Sequence, residues 1–286
     1  MPASGHGILF PGGQVTRMAQ LVVLGNEKGG SGKSTTAMHL VTALTRAGHS
    51  VGALDLDLRQ TSLFRYLENR TDYMRRHDIL LPMPRRLRLE ASLCDSRLEA
   101  EAEERSRFGA AIADLSRDCD YIVVDCPGSH SSYSGLAHAA ADVLITPMND
   151  SLVDFDMLAR LDPETGRVKG PSVYSEMVWK ARQARASTGR RPMDWVVLRN
   201  RMANIDARNK RRVGSALEDL ARRIGFRLVP GFSERVVFRE LFLSGLTLLD
   251  LRPDDPAAMT MSNIAARQEV RDLMRALDLP PVSVAA

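Results

Sequence analysis

One stretch of the chain gathers residue types suited to holding phosphate: Lys28-Gly29-Gly30-Ser31-Gly32-Lys33-Ser34-Thr35. Glycines let a backbone curl until successive N–H groups point inward, and such a nest binds phosphate oxygens. A helix that begins where the nest ends adds the positive end of its dipole. Lys33 is then placed to reach β- and γ-phosphates, the Ser34 hydroxyl to ligand Mg²⁺, and Thr35 to touch the α-phosphate. The chemistry implied is capture of a nucleoside triphosphate, with phosphoryl transfer as its outcome. The common pattern GxxxxGK[ST] requires Gly at position 27, where Glu27 stands; a second lysine, Lys28, heads the loop instead.

Such a nest needs a strand to deliver the chain and a helix to leave it. Gln20 to Gly25 is a short apolar run closed by Gly, which reads as a buried strand, and Lys33 to Ala47 has a helical pattern ended by Gly48. Further strands are expected at Ser50–Leu54, Tyr121–Val124, Val143–Thr146, Trp195–Leu198 and Phe226–Val229, with helices at Leu98–Leu115 and Lys210–Ile224 among those between them. Alternation of this kind predicts an α/β fold with a mostly parallel sheet covered on both faces. Residues 1–18, rich in Gly and Pro, read as a mobile leader, and 19–286 as one domain. The segment Arg70–Arg97, with two prolines and clustered arginines, has no clean period and reads as an insertion or part of a binding surface. Near the end, Val270, Leu273, Met274 and Leu277 form one helical stripe, expected to pack on the domain because Glu269, Asp272 and Asp278 dilute any basic membrane-binding face.

The leading lysine of KGGxGKS carries a resemblance. The chain resembles the deviant Walker A superfamily of P-loop ATPases, which includes ParA, MinD and the nitrogenase iron protein. The likeness implies an ATP-sandwiched homodimer in which Lys28 crosses to the partner's phosphates. It also assigns roles in the segment Asp55-Leu56-Asp57-Leu58-Arg59-Gln60. Asp57 and Arg59 would lie in the first switch, Asp57 positioning the attacking water, and Asp55 would sit nearer the metal. In Asp125-Cys126-Pro127-Gly128, Asp125 would hold Mg²⁺ through its water shell and Gly128 would respond to the γ-phosphate. Asn200 matches an asparagine that hydrogen-bonds the adenine edge, although an asparagine after a strand also suits a plain turn.

Where ParA proteins carry D-x-D-P-Q, this chain has DLDLRQ. Together with NEKGGSGKST, SVYSEMVWKAR, DWVVLRNR, ARNKRRV and GFSERVVFRELFLSGLTLLDL, that departure makes the chain similar to the MipZ family over about 19 to 278. These are division-plane positioning ATPases of alphaproteobacteria. The resemblance implies a cytoplasmic, nucleoid-associated protein using ATP and Mg²⁺ that inhibits FtsZ polymerisation, interacts with ParB and binds chromosomal DNA without sequence preference as an ATP dimer, with no membrane partner. A ParA-like segregation ATPase is the alternative.

Charge supports a polyanion partner independently. The chain nets +4, yet Lys180 to Arg227 holds 14 basic and 4 acidic residues, or +10. On a helix over 210–224, Val213, Ala216, Leu217, Leu220 and Ile224 form an inward stripe. Arg211 and Arg222 fall opposite it, and Arg212 lies on its flank. Arg208 precedes the helix and Arg235 is expected to extend the patch. Guanidinium groups so displayed bind phosphates without reading bases. The same stripe also suits a solvated face with Glu218 and Asp219 as partners. Three cysteines, Cys94, Cys119 and Cys126, form neither a paired framework nor a CxxC ligand set, which argues against a disulfide scaffold.

Overall fold

The computed structural model describes residues 18–149, 152–161, 168–200, 217–252, 258 and 260–280, with the backbone of 8–9 and 15–16. Ile8–Leu9 pairs antiparallel with Val15–Thr16, while most of the expected leader lies outside the described residues. Seven strands form one parallel sheet: β1 Gln20–Leu24, β2 Val51–Asp55, β3 Arg85–Leu87, β4 Tyr121–Asp125, β5 Val143–Asn149, β6 Asp194–Asn200 and β7 Arg227–Pro230. Their spatial order is β7-β6-β5-β1-β4-β2-β3.

Successive residues of each strand serve opposite faces, as a period of two requires. Val22, Leu24 and Val123 join the core layer built with Leu40, Leu44 and Phe64. Leu21, Val23, Ile122 and Val124 join the layer containing Phe108, Leu115, Tyr174 and Leu217. The first layer is covered by α1 Lys33–Arg46, α2 Ser62–His77, α8 Val237–Ser244 and α9 Met261–Ala276. The second is covered by α3 Arg97–Asp118, α4 Ser132–Ala140, α6 Val173–Ser187 and helical residues 217–224, here α7. A four-residue helix, α5 Leu152–Phe155, follows β5. With both faces buried, the strands are near-continuous apolar runs. The terminal stripe Val270, Leu273, Met274 and Leu277 is buried in the first layer.

The segment 70–97 is built into the sheet. It begins inside α2 with a fully buried Arg70 and supplies β3, a seventh strand paired with Gly52–Leu54. Sequence periodicity could not find β3, because it is a three-residue edge strand with two exposed arginines, a common protection of sheet edges. Arg85 is held there by Asp114 and Asp118 of α3.

Among the described residues two histidines lie wholly inside. His39 donates from Nδ1 to the Thr35 carbonyl at 2.8 Å, and its Nε2 accepts the Leu248 amide at 3.4 Å. His138 bonds the Ser134 carbonyl through Nδ1 and faces the Tyr174 hydroxyl at 3.4 Å. Burial drives both from about 6.5 down to about 4. The folded state thus binds these protons more weakly than the unfolded chain, so their stabilisation is complete above pH 6.5 and is lost as pH falls towards 4. Each is worth on the order of 3 kcal/mol across that window. Urea unfolding midpoints should fall between pH 6.5 and 4.5, and His138→Gln should flatten the slope. An unchanged slope in that variant would remove His138 as a contributor.

Candidate functional site

The chain leaves β1 into the loop at Gly25, where a Cβ would come within 2.3 Å of His138 Nε2. Buried Asn26 then braces the turn: its Oδ1 accepts the Lys28 amide at 2.7 Å and its Nδ2 donates to the Pro147 carbonyl. Gly30 and Gly32 take φ of 73° and 92°, a region that side-chain-bearing residues avoid. Gly32 is the N-cap of α1 and brings no side-chain cap, so the first amides of a 14-residue helix are left for a ligand. Lys33 is buried, and its Nζ donates to the Lys28 carbonyl at 2.9 Å. Burial lowers its pKa, against the opposing pull of the Asp125 and Asp57 carboxyls.

Strand register sets the carboxylates. Asp55 and Asp125 are partners across β2 and β4, side by side at the C-terminal edge of the sheet, where ligands of open α/β sheets bind. Burial, then the charge of Asp55, pushes Asp125 up to about 8. The Ser34 hydroxyl beside it works against that shift, while Asp125 Oδ1 is buried with no hydrogen-bond partner. Asp55, raised to about 6 by burial, has both oxygens engaged. Oδ1 accepts the Asp57 amide at 3.0 Å and Oδ2 the Leu63 and Phe64 amides at 2.9 and 3.2 Å, which fixes the start of α2. Asp57 is half-buried and shapes its own loop, its Oδ1 accepting the Gln60 and Arg59 amides at 2.9 and 3.3 Å. The Arg59 side chain is exposed. Gly128 lies on the phosphate loop, where a Cβ would sit 3.0 Å from the Gly29 nitrogen.

Gly29–Thr35, Asp57, Asp125 and Gly128 therefore converge on one cavity of about 340 Å³, and Asp55 stands behind its wall. The orphaned Asp125 oxygen and the Ser34 hydroxyl fit Mg²⁺, a hard cation that keeps several waters and shares a ligand's phosphates. Among the described residues no cluster of three or more His, Cys, Asp or Glu could hold a metal alone.

A second cavity of about 430 Å³ shares Ser31, Gly32 and Thr35 with the first. Asn200 forms its wall, donating to the Ser31 carbonyl at 3.0 Å and accepting the Phe232 amide at 3.0 Å. Phe232 and Phe238, stacked with centroids 5.2 Å apart, and Phe242 line it. These aromatics escaped sequence reasoning, since nothing local ties them to a loop 200 residues earlier. Arg235 is also here, paired with Glu269 and Ser262. It does not extend a patch with Arg222. Arg235 follows β7 towards α8 and α9, whereas α7 packs Leu217 and Leu220 on the opposite face of the sheet. Arg222 is exposed beside Asp219, and Arg208, Arg211 and Arg212 lie outside the described residues.

Lys28 is not part of either cavity wall. With 41% of its side chain exposed, its ammonium pairs within the same chain with buried Asp154, whose other oxygen accepts the Asn149 amide at 2.8 Å. Asp154 was also missed: it is one of several acids after β5, with no local mark to single it out.

The septum site-determining protein MinD of Helicobacter pylori is 31% identical over 183 residues, covering 56% of this chain and 66% of that protein. MinD of Bacillus subtilis is 27% identical over 173 residues, covering 54% and 63%. The chain spans just under two thirds of the length of these curated relatives. Among solved structures, the ATP complex of an McdA variant from Cyanothece superposes with a TM-score of 0.64 at 17% identity, covering 93% of this chain and 99% of that one. MinD complexed with Mg-ADP from Pyrococcus horikoshii gives 0.54 at 19% identity, covering 90% and 97%. These likenesses show a shared P-loop ATPase fold. Residues 20–281 match the sequence model of the ATPase MipZ family, and the chain belongs to that family.

Proposed function

We propose that this protein is an ATP-dependent dimerising switch that places the cell-division site. In this reading the ATP-bound dimer inhibits FtsZ polymerisation, interacts with ParB and binds chromosomal DNA non-specifically, and slow hydrolysis returns it to the monomer. One observation carries the nucleotide part: a glycine nest at an uncapped helix N-terminus opens into the same cavity as Lys33, Asp57 and the unpartnered oxygen of Asp125. Membership of the MipZ family and the likeness to septum site-determining proteins support the division role.

The chain's own groups divide the work. Loop amides from Gly29 to Thr35 hold the phosphates, and Lys33 neutralises their charge once its bond to the Lys28 carbonyl is released. Ser34 and Asp125 would hold Mg²⁺, which would neutralise charge developing on the transferred phosphoryl group. Asp57 orients the attacking water from the cavity wall. Asn200 and the phenylalanine-lined cavity receive the base. Lys28 leaves Asp154 to reach the nucleotide of a second copy, so hydrolysis requires the dimer. Arg208, Arg211, Arg212 and Arg222 present the DNA surface, which dimerisation doubles.

Lys28→Ala should keep ATP binding yet remain monomeric, with turnover lower by roughly 10³-fold, as for a charge supplied in trans. Fluorescent-nucleotide titration and gel filtration check both halves, and dimers formed normally by the variant would remove Lys28 from the interface. The division role is tested by sedimenting FtsZ polymers with this protein in ATP and in ADP. Fewer polymers in ATP alone is the expected result. No effect in either nucleotide, from protein that binds ATP, would move the function to a ParA-like segregation ATPase.

A further inference from the structure

Away from both nucleotide cavities, α6, the strand Val168–Pro171 and α7 enclose a groove of about 570 Å³. Its floor is apolar, from Val168, Pro171, Leu220 and Ile224, and Trp179 stands in its wall with 55% of its surface exposed. Leaving that much indole in water is costly, and a tryptophan beside an apolar pocket is a frequent anchor of protein–protein contact. The rim is basic. Among the described residues, Lys180 and Arg223 stand on it with one carboxylate, Glu176, which pairs with Arg160. None of these residues lines the nucleotide cavities.

We propose that this groove docks an acidic segment of a partner protein, one that inserts aromatic or aliphatic side chains between Trp179 and the floor and sets Asp or Glu against Lys180 and Arg223. Charge complementarity selects that occupant. A second copy of the same face would oppose basic rim to basic rim across a two-fold axis. A nucleic acid would leave the aliphatic floor unmatched. The inference does not rest on the nucleotide reading.

The test is selection of a random twelve-residue peptide display library on the full-length protein, with counter-selection on Trp179→Ala and Arg223→Glu. Both positions lie outside the nucleotide site, so retained ATP binding certifies that the variants fold. Enriched peptides should be acidic with Trp, Phe or Leu anchors. A synthetic copy should shift Trp179 emission, the other tryptophan, Trp195, being buried. Its affinity should fall about tenfold or more in either variant and weaken with salt. No enrichment, a basic consensus, or equal binding to the variants would overturn the proposal. So would a shift of Trp179 emission by duplex DNA and by no peptide, which would make the groove a nucleic-acid surface.

Discussion

Asp57→Ala is expected to bind ATP at least as tightly as the wild type while hydrolysing it about 10²–10⁴-fold more slowly, the range for removing a group that positions or deprotonates a nucleophile. Binding should survive because the phosphate contacts come from loop amides, Lys33 and the start of α1, none of which hangs on Asp57. Removing one carboxylate from a cavity that already holds Asp125, with Asp55 behind it, also lessens repulsion of a polyanion. The substitution has a second consequence, since Asp57 Oδ1 accepts the Gln60 and Arg59 amides and so shapes its loop. Asp57→Asn separates the two roles by retaining an acceptor without the charge. Phosphate release in a single turnover should stay slow in both variants. Recovery of the wild-type rate by the asparagine would assign Asp57 to loop geometry alone.

The largest effect on stability is expected far from the nucleotide, at Asp250. Its carboxylate takes both Nη atoms of the fully buried Arg70, at 2.7 and 2.9 Å, and Arg46 at 2.8 Å. The Thr247 amide and hydroxyl add 2.7 and 2.8 Å contacts. Burial alone would push Asp250 up, but the bonds and charge of Arg70, with Arg46, outweigh it and hold the group at about 2. The hub joins α1 and α2 to the turn after α8, where Gly245 has φ 66° and a Cβ would meet the Arg70 nitrogen at 1.9 Å. Asp250→Ala strands a buried guanidinium, and breaking a buried pair from one side costs about 3–5 kcal/mol. Against a total of roughly 5–15 kcal/mol, that is a large share. Urea unfolding followed by circular dichroism should show it. A loss below about 1 kcal/mol would mean that water or a neighbour takes over the role of Asp250.

Strands β1, β2, β4, β5, β6 and β7 were legible as short apolar runs between helical stretches and turns. β3 was not, since an edge strand of sequence RRL has neither alternation nor an apolar run. Buried Arg70 likewise reads as surface charge until Asp250, 180 residues away, is seen beside it. At the site, the phosphate loop and Asp125 are contiguous with elements that period and turn signals locate. The partner of Lys28, Asp154, lies 126 residues on, and the phenylalanines of the second cavity arrive from the far end of the sheet. Asp55 shows the opposite limit: the resemblance implied a place nearer the metal, and the structure adds that its oxygens accept the backbone amides of Asp57, Leu63 and Phe64. Composition and spacing name a side chain but do not reveal which of its lone pairs are already used.

Nucleotide-controlled assembly is most directly tested by sedimentation velocity of the full chain in Mg²⁺ with ATP, with ADP and with no nucleotide. A dimer boundary with ATP alone is predicted, more persistent in Asp57→Ala and absent in Lys28→Ala. One sedimentation coefficient shared by all three nucleotide states, from protein that binds ATP, would contradict the account.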